Sequence, residues 1–426
     1  MSEKRRAPPL RVEQALSLLP EVDALAPLRA FLVSTSRART AAEPHRTVGK
    51  RLVEPGHLRE AVPLAVNRIT DHLAGLFASA VEALECEQRG ERTGAVYALL
   101  AAGDREERVG RYAQAFTWYD HALRVAAELH ERRAEIDTLL RLGHLERIRQ
   151  RFDDAARFYQ RALALAEGEM DGRAAAVACR GLGESAMGLS RWQGAESWFM
   201  RGLQYAGEEG LAGRLQLGLG EVARSRGRLD QAETRLREAR ATLEAQQDVG
   251  GLVRSLNAWG QFEAARGRHA EALEAYREAL ARLPGVGRHP RLEMAIRVNI
   301  CELYLDWGRL REAEDEIRRA EESAILNNLS RFLARLYLLL GQVRARQRDD
   351  TGFVFFEKTI ELCRGPEPLP RLEAEAYLEY ALFRRDLHDT EEARAYLERA
   401  REILETVGDG NTLARIDAAL AQVERV

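Results

Sequence analysis

The side chains that most often carry out catalysis or bind metals are present in this sequence, but their spacing supports neither use. The nine histidines contain no HExxH or HxH pair, and no GxSxG or Walker sequence occurs. Such patterns matter because metal ligands, or a nucleophile and its activating partner, must meet in a fixed geometry. We therefore predict no catalytic residue, no metal site, no cofactor and no enzyme activity.

The four cysteines are far apart in the sequence and form no CxxC pair: Cys86, Cys179, Cys301 and Cys363. Redox and metal-binding thiols usually come in closely spaced pairs. Isolated cysteines are typical of buried thiols in a reducing compartment. We expect all four to be buried and free.

Two short glycine motifs match the GxGxxA fingerprint of dinucleotide-binding proteins. They occupy residues 181–186 and 218–223. A dinucleotide site needs this motif directly after a strand and at the start of a helix, where the pyrophosphate binds. Both copies lie inside helical patterns, so we interpret their glycines as helix-packing residues.

The overall charge favours neither nucleic acid nor anionic lipid. The 426 residues include 64 Lys and Arg against 67 Asp and Glu, a net charge of −3. No apolar run follows Lys4, and no span of about 18 apolar residues occurs. We predict a cytoplasmic protein without membrane insertion. Lysine occurs only three times, and this arginine bias is typical of a high-GC bacterial genome.

One stretch, residues 255–284, shows the elements that organise the chain. It predicts two short helices, A and B, with Gly260 where they cross and Gly267 at the turn, where φ is positive. Pro284 ends helix B. One stripe of helix B has the spacing i, i+4 and i+7: Ala272, Tyr276 and Ala279.

The same frame recurs about every 40 residues and gives eight copies over residues 93–407. The other copies share a small or aromatic residue in helix A and an alanine or aromatic residue in helix B. These pairs are Gly103 and Tyr119, Gly143 and Tyr159, Gly183 and Phe199, Gly220 and Ala232, Tyr304 and Ala313, Gly341 and Phe356, and Tyr377 and Ala393. The seventh copy has Gly352 where alanine is expected, and its turn is one residue short.

This pattern resembles the tetratricopeptide repeat (TPR), with a period nearer 40 than the common 34 residues. It is similar to repeats of kinesin light chain, LGN-type adaptors and bacterial MalT-like and peptide-sensing regulators. The resemblance implies an all-α, right-handed superhelix of about eight helix-turn-helix repeats over residues 91–410. It also implies that helix A lines a concave groove.

The resemblance further implies that residues beside each crossing position point into the groove. These are Arg141, His144, Arg180, Glu184, Arg214, Glu221, Arg224, Arg254, Asn257, Gln261, Asn299, Glu302, Arg335 and Gln342. Arginine suits carboxylate or phosphate, and Asn and Gln can pair with an extended peptide backbone. By resemblance, Asn257 and Asn299 are the favoured backbone contacts. The Lys/Asn carboxylate clamp of chaperone-binding TPRs is not reproduced.

Three of these arginines occupy comparable places in successive repeats: Arg180, Arg214 and Arg254. We expect them to lie along one wall, where their repulsion is offset by Glu184, Glu221 or an external anion.

Four segments interrupt or flank the repeats. Residues 1–90 predict a helical N-terminal region with a basic flexible loop at 34–57, and residues 411–426 an amphipathic capping helix. The Pro- and Gly-rich segments 283–291 and 364–370 are either loops between repeats or places where the superhelix changes pitch.

The preferred function is a non-catalytic scaffold or adaptor that binds an acidic peptide segment of a partner protein in the groove. The alternative is a regulatory sensor whose superhelix responds to a bound peptide or small effector. An RNA-binding solenoid is a weaker interpretation, given the near-neutral charge. The sequence leaves the partner and homo-oligomerisation open.

Overall fold

A computed structural model describes residues 92–207, 211–287, 289–365, 367–407 and 410–423, together with residues 79 and 86. The predicted N-terminal region, with its loop at 34–57, lies outside these ranges apart from those two positions. All regular secondary structure in the described ranges is helical.

The described residues form eight helical hairpins and a final helix. The A helices carry odd numbers and the B helices even numbers. In chain order they are α1 (Arg92–Arg108), α2 (Tyr112–Glu128), α3 (Arg132–Ile148), α4 (Phe152–Gly168), α5 (Gly172–Gly188), α6 (Trp192–Tyr205), α7 (Ala212–Ser225), α8 (Leu229–Ala245), α9 (Val249–Ala265), α10 (His269–Arg282), α11 (Pro290–Asp306), α12 (Leu310–Leu326), α13 (Ser330–Arg346), α14 (Gly352–Cys363), α15 (Pro370–Asp386), α16 (Thr390–Val407) and α17 (Gly410–Val423). Successive A helices begin 37 to 41 residues apart, which confirms the predicted period.

The turn within the fifth hairpin forms as the sequence predicts. Gly267 has φ 73°, so it ends α9 in the left-handed conformation. The amide of Arg268 donates to the Glu263 carbonyl at 2.9 Å, and that of Gly267 to the Ala264 carbonyl at 2.9 Å. Together these bonds satisfy two carbonyls at the helix end and reverse the chain.

Helices A and B cross at glycines that face aromatic rings. In four hairpins a Cβ built on the glycine would lie 2.3 to 2.7 Å from a ring atom: Gly103 and Tyr119, Gly183 and Phe199, Gly260 and Tyr276, and Gly341 and Phe356. The glycines of both GxGxxA motifs lie inside α5 and α7 and contact Tyr159, Phe199 or Leu236. Their interpretation as packing residues is therefore confirmed. The four cysteines are buried, as expected.

The chain divides into two compact units, residues 1–145 and 146–426, and the boundary falls within α3. In the second unit the core is built between neighbouring hairpins. Tyr276, Ile300 and Ile317 belong to one buried cluster that joins α9 to α13. Each A helix is therefore held in place by the B helix of its own hairpin and by the next hairpin.

The last helix, α17, packs on the final hairpin. Ile416, Ala419 and Val423 are buried in a cluster with Tyr380 and Leu397 of α15 and α16. The helix begins at Gly410, one residue before the predicted start.

Both Pro- and Gly-rich segments lie between hairpins. Leu283–Val286 forms a short 3-10 turn, and Pro290 is the first residue of α11, as Pro370 is of α15. The second segment also contacts a distant part of the same unit. The Arg149 guanidinium, in the turn between α3 and α4, donates to the Glu367 carboxylate at 3.0 Å.

Candidate functional site

In the second unit, the A helices and the N-cap of α9 carry a set of polar residues, most of which bond within their own helix or to a neighbouring A helix. We call this set the A-helix face. Its members are Arg147, Arg180, Glu184, Arg214, Glu221, Arg224, Asp248, Arg254, Asn257, Gln261, Asn299, Glu302, Arg335, Gln342, Glu375 and Glu379. All the groove residues that the sequence predicts between 180 and 342 belong to it.

The two remaining predicted residues, Arg141 and His144, lie in the first unit. The Arg141 guanidinium donates to the Asp104 carboxylate, and His144 Nε2 lies 3.5 Å from Glu107 Oε1. The Tyr119 hydroxyl donates to the same two carboxylates, at 2.6 Å and 3.1 Å. Burial, followed by the Glu107 charge, raises the pKa of Tyr119 and keeps this donor protonated. The cluster joins α1 to α3.

Arg180 and Arg147 share one carboxylate. Arg180 donates to Glu184 Oε1 at 2.8 Å, and Arg147 Nε lies 3.1 Å from Glu184 Oε2. Glu184 therefore balances one of the two positive charges. Arg147 is not among the residues predicted above, although it lies four residues after the crossing glycine of its repeat, where Arg224 lies in the fourth repeat.

Arg214 has a partner, Asp248, that is also not among the predicted residues. Its Nε and a terminal nitrogen donate to the two oxygens of Asp248 at 2.6 Å and 2.9 Å. Asp248 is the N-cap of α9 and accepts from the Gly251 amide at 2.9 Å. The hydrogen bond from Arg214 is the main cause that lowers the pKa of Asp248. An aspartate directly before a helix is a recognisable signal for such a cap.

Arg254 differs from the other arginines of this face. Within the part of the chain that the structure describes, its guanidinium has no hydrogen bond and no ion pair. Solvent reaches the side chain, yet the surrounding helices displace enough water to lower its pKa. Glu184 opposes this shift, whereas Arg180, Arg147 and Arg214 add to it. The guanidinium remains charged at neutral pH, because free arginine loses its proton only above about pH 12.

Glu221 is an acidic residue of this face whose pKa, like that of Arg254, is shifted mainly by burial. Burial is the main cause that raises the pKa of its carboxyl to about 7, and the charge of Glu184 acts in the same direction. Arg224 and Arg254 act in the opposite direction but do not cancel the effect. Glu221 is therefore partly protonated near neutral pH and neutralises the neighbouring arginines incompletely.

The charges of α3 to α9 on this face do not balance. Three carboxylates, Glu184, Glu221 and Asp248, accompany five arginines. These arginines are Arg147, Arg180, Arg214, Arg224 and Arg254. Five minus three leaves a charge of +2, which rises as Glu221 takes up a proton. The Arg224 guanidinium has a neutral partner, since it donates to the Gln261 side chain at 3.3 Å.

The register of the repeats corrects the expectation that three arginines are equivalent. Arg214 and Arg254 lie six residues before the crossing glycines Gly220 and Gly260, whereas Arg180 lies only three before Gly183. Arg180 is thus displaced by about one helical turn. Its charge still acts on Arg254, so the arginines form a cluster rather than one row.

The two asparagines expected to bind a peptide backbone bond to each other. Asn299 Nδ2 donates to Asn257 Oδ1 at 2.8 Å and joins α11 to α9. Among the described residues, the Asn257 amino group and the Asn299 oxygen have no partner. One donor and one acceptor therefore remain beside the arginine cluster.

The remaining predicted residues belong to ion pairs on later helices. Arg335 donates to Glu302 at 2.7 Å and contacts Glu375 at 2.6 Å, so it links three successive A helices. Gln342 hydrogen-bonds to Glu379, whose pKa is raised by burial. Glu375 and Glu379 were missed because the eighth repeat has no glycine at its crossing position.

Two kinds of feature are missing from the described ranges. No group of three or more His, Cys, Asp or Glu side chains there could hold a metal ion. Over the same residues, every helix is too short or too polar to cross a membrane.

The comparisons with known proteins agree with this architecture. A family model described as "Tetratricopeptide repeat" matches residues 96–168. No curated protein matches the chain. The solved structure of the apo quorum sensor NprR from B. thuringiensis is 16% identical, with a TM-score of 0.53 over 81% of this chain and 100% of that one.

A second similar structure is a Rap protein complexed with Competence and Sporulation Factor. It is 12% identical, with a TM-score of 0.51 over 86% of this chain and 98% of that one. At such identities the likeness shows the fold, and the predicted all-α superhelix is confirmed. The helical hairpins, the family model over residues 96–168 and these two neighbours together support a tetratricopeptide repeat fold for the described residues.

Proposed function

We propose that this chain is a non-catalytic binding module whose A-helix face holds a peptide segment of a partner protein. The segment carries an acidic side chain or a terminal carboxylate, and Arg254 is its principal contact. The partner, the absence of catalysis and the cytoplasmic location are parts of this proposal.

The observation that carries the proposal is the unpaired Arg254 beside three further arginines. Loss of water around the guanidinium disfavours its charge most, repulsion from Arg147, Arg180 and Arg214 acts in the same direction, and Glu184 opposes both. A ligand carboxylate at Arg254 would supply the missing negative charge and form charge-assisted hydrogen bonds. The folded chain alone gains nothing from leaving this charge unpaired.

The neighbouring asparagines supply the backbone contacts of the proposal. The Asn257 amino group can donate to a peptide carbonyl, and the Asn299 oxygen can accept from a peptide amide. An extended segment could therefore use both while its acidic group reaches Arg254. Two proteins of this fold are described as a quorum sensor and as a complex with a sporulation factor, so the fold is compatible with ligand binding.

The test uses two pools of short randomised peptides that differ only in charge. One pool carries Asp and Glu at alternate positions, and the other carries Lys and Arg. We expect the acidic pool to bind, with an affinity that falls as salt is added. Arg254→Ala should abolish most of this binding. Arg240→Ala, which removes an arginine from the B helix α8, is the matched control. Equal binding of both pools, or unchanged binding by Arg254→Ala, contradicts the proposal.

A regulatory sensor is the second candidate, and the contact between Arg149 and Glu367 favours it. This pair joins parts of the second unit that are 218 residues apart. A ligand that stabilises one arrangement of the hairpins between these two residues would therefore change the fraction of molecules in which the contact is formed. Small-angle scattering with and without the selected peptide distinguishes the candidates, because a scaffold keeps one radius of gyration and a sensor changes it.

A further inference from the structure

Two distant parts of the second unit meet through side chains, and we call their meeting the closing contact. One side contains Arg149, Gln150 and Phe152, at the turn between α3 and α4, together with Gly188 at the end of α5. The other side contains Arg331 and Arg371, each the second residue of its helix, α13 or α15, and Glu367 in the loop before α15.

The centre of the closing contact is an arginine between two carboxylates. Arg149 donates to Glu367 at 3.0 Å and to Glu146 at 2.8 Å. The Arg149 side chain is only 9% exposed and that of Glu146 2%, whereas Arg157, in an intrahelical pair on α4, is 79% exposed. A charge excluded from water to this degree needs its partners, because an unpaired buried ion is strongly disfavoured.

Arg371 forms the second part of the contact. Its guanidinium donates to the Gly188 carbonyl and lies 5.6 Å from the centre of the Phe152 ring. Gly188 makes this arrangement possible, because a Cβ there would lie 2.4 Å from the same ring. The glycine, the ring and the arginine therefore fit one another across three separate hairpins.

Gln150 and Arg331 form the third part. With its side-chain oxygen turned toward Arg331, Gln150 accepts from the guanidinium at 2.6 to 3.2 Å. Three arginine-centred contacts thus lie in or beside the turn between α3 and α4. Each uses side chains or a carbonyl, and none depends on a regular helix-to-helix interface.

The closing contact and the chain between its two sides together form a closed ring. The chain runs from Arg149 through α4 to α14 and returns at Glu367 and Arg371. Helix α9, with Arg254, lies midway along this path. A short peptide or a chain end can pass through a closed ring of protein as a single strand. An internal loop of a folded partner must enter with both of its strands side by side, and therefore needs a wider opening.

We propose that the closing contact controls access to the A-helix face. While the contact is formed, the face admits a short peptide or a chain end and excludes a folded protein. This inference concerns access to the site under Proposed function and rests on that function only for the nature of the ligand. A terminal carboxylate, which every protein chain end carries, matches the unpaired Arg254.

The test measures access without any peptide ligand. Arg254→Cys places a thiol on the A-helix face, and the native cysteines are buried. The thiol is reacted with N-ethylmaleimide and with a maleimide attached to a small folded protein. With the closing contact intact, we expect the bulky reagent to react far more slowly than the small one. Arg149→Ala combined with Arg371→Ala should raise the ratio of the bulky to the small rate by about tenfold or more.

The matched control removes two exposed arginines from intrahelical pairs of α4 and α16, by Arg157→Ala combined with Arg399→Ala. It should leave the rate ratio unchanged. If the double variant of the closing contact fails to fold, Glu367→Gln removes the acceptor charge alone. Faster amide hydrogen exchange at residues 149–152 and 367–371 then reports opening.

Equal rate ratios in the closing-contact variant and its control overturn the inference. That result leaves peptide binding by the A-helix face untouched, because the assay contains no peptide. Conversely, failure of the acidic pool to bind would overturn the proposed function while a changed rate ratio still supported controlled access.

Discussion

The Tyr276 ring occupies the space that a Cβ at position 260 would need. An ideal Cβ on Gly260 lies 2.4 Å from Tyr276 Cε1, and no carbon pair approaches so closely without displacement. Helices α9 and α10 can cross at this distance only because residue 260 has no side chain. The same relationship links Gly183 to Phe199 in α5 and α6.

Gly260→Ala should therefore destabilise the fold by about 1–3 kcal/mol, because the ring or a helix must move. Gly194→Ala is the matched control in α6, where nothing lies within 4 Å of the added carbon. The control should gain roughly 0.5–1 kcal/mol from its higher helix propensity. Urea denaturation of both variants checks this pair. A stabilised Gly260→Ala protein would mean that the crossing is wrongly placed.

The fold was predictable because its determinants repeat locally. Gly260 and Tyr276 are 16 positions apart, as are Gly183 and Phe199. These 16 positions contain the rest of helix A, the turn and the start of helix B. Gly341 and Phe356 are 15 apart, which agrees with the shortened turn that the sequence predicts before α14.

The pairing of the A-helix side chains was only partly predictable. The repeat register located Arg214 but not its partner Asp248, which belongs to the next hairpin and acts as a helix cap. It located Asn257 and Asn299 without their mutual hydrogen bond. The Arg149 contact with Glu367 spans 218 residues, and no local pattern encodes it.

The capping role of the last helix is tested by one buried residue. Ile416 is fully buried against the final hairpin. Ile416→Ala should cost about 2–4 kcal/mol, because it leaves a cavity, and deletion of residues 411–426 should promote aggregation. Asp417→Ala, at the exposed neighbouring position, should stay within about 0.5 kcal/mol of the parent. A truncated protein that melts like the parent and stays monomeric would contradict the capping role.

Glu221 should make stability depend on pH. Burial raises the pKa of its carboxyl from 4.5 to about 7 in the folded state. Between pH 4.5 and about pH 7, the Glu221 carboxyl is ionised in the unfolded chain but still largely protonated in the folded protein. The contribution of Glu221 to stability is therefore fully present below about pH 4.5 and is lost as the pH rises to about 7.

Glu221→Gln removes this dependence. Compared with the parent, the variant should become progressively more stable from pH 5 to pH 7, and the difference should level off above that. Urea denaturation at several pH values measures it, with the exposed Glu271→Gln as control. The same pH profile for both substitutions would show that burial does not perturb Glu221.

The arginines of the A-helix face should contribute unequally to stability. Arg254→Ala removes a charge without a partner and should change stability by less than about 0.5 kcal/mol or improve it slightly. Arg214→Ala breaks two hydrogen bonds to the cap of α9 and should cost roughly 0.5–1.5 kcal/mol. Thermal melting of the two variants gives the comparison. A larger loss for Arg254→Ala would reveal a partner within the folded chain.

The most direct test of acidic-peptide binding is a calorimetric titration of the tightest peptide from the acidic pool. It compares the parent with Arg254→Ala and with the control Arg240→Ala, each at low and high salt. We predict that Arg254→Ala weakens binding by about 1.5–3 kcal/mol where the charge-assisted bond is shielded from water, and by less where it is exposed. The control should bind like the parent, and salt should weaken the parent more than Arg254→Ala. Equal affinities for all three proteins at both salt concentrations would contradict the assignment of the A-helix face as the binding site.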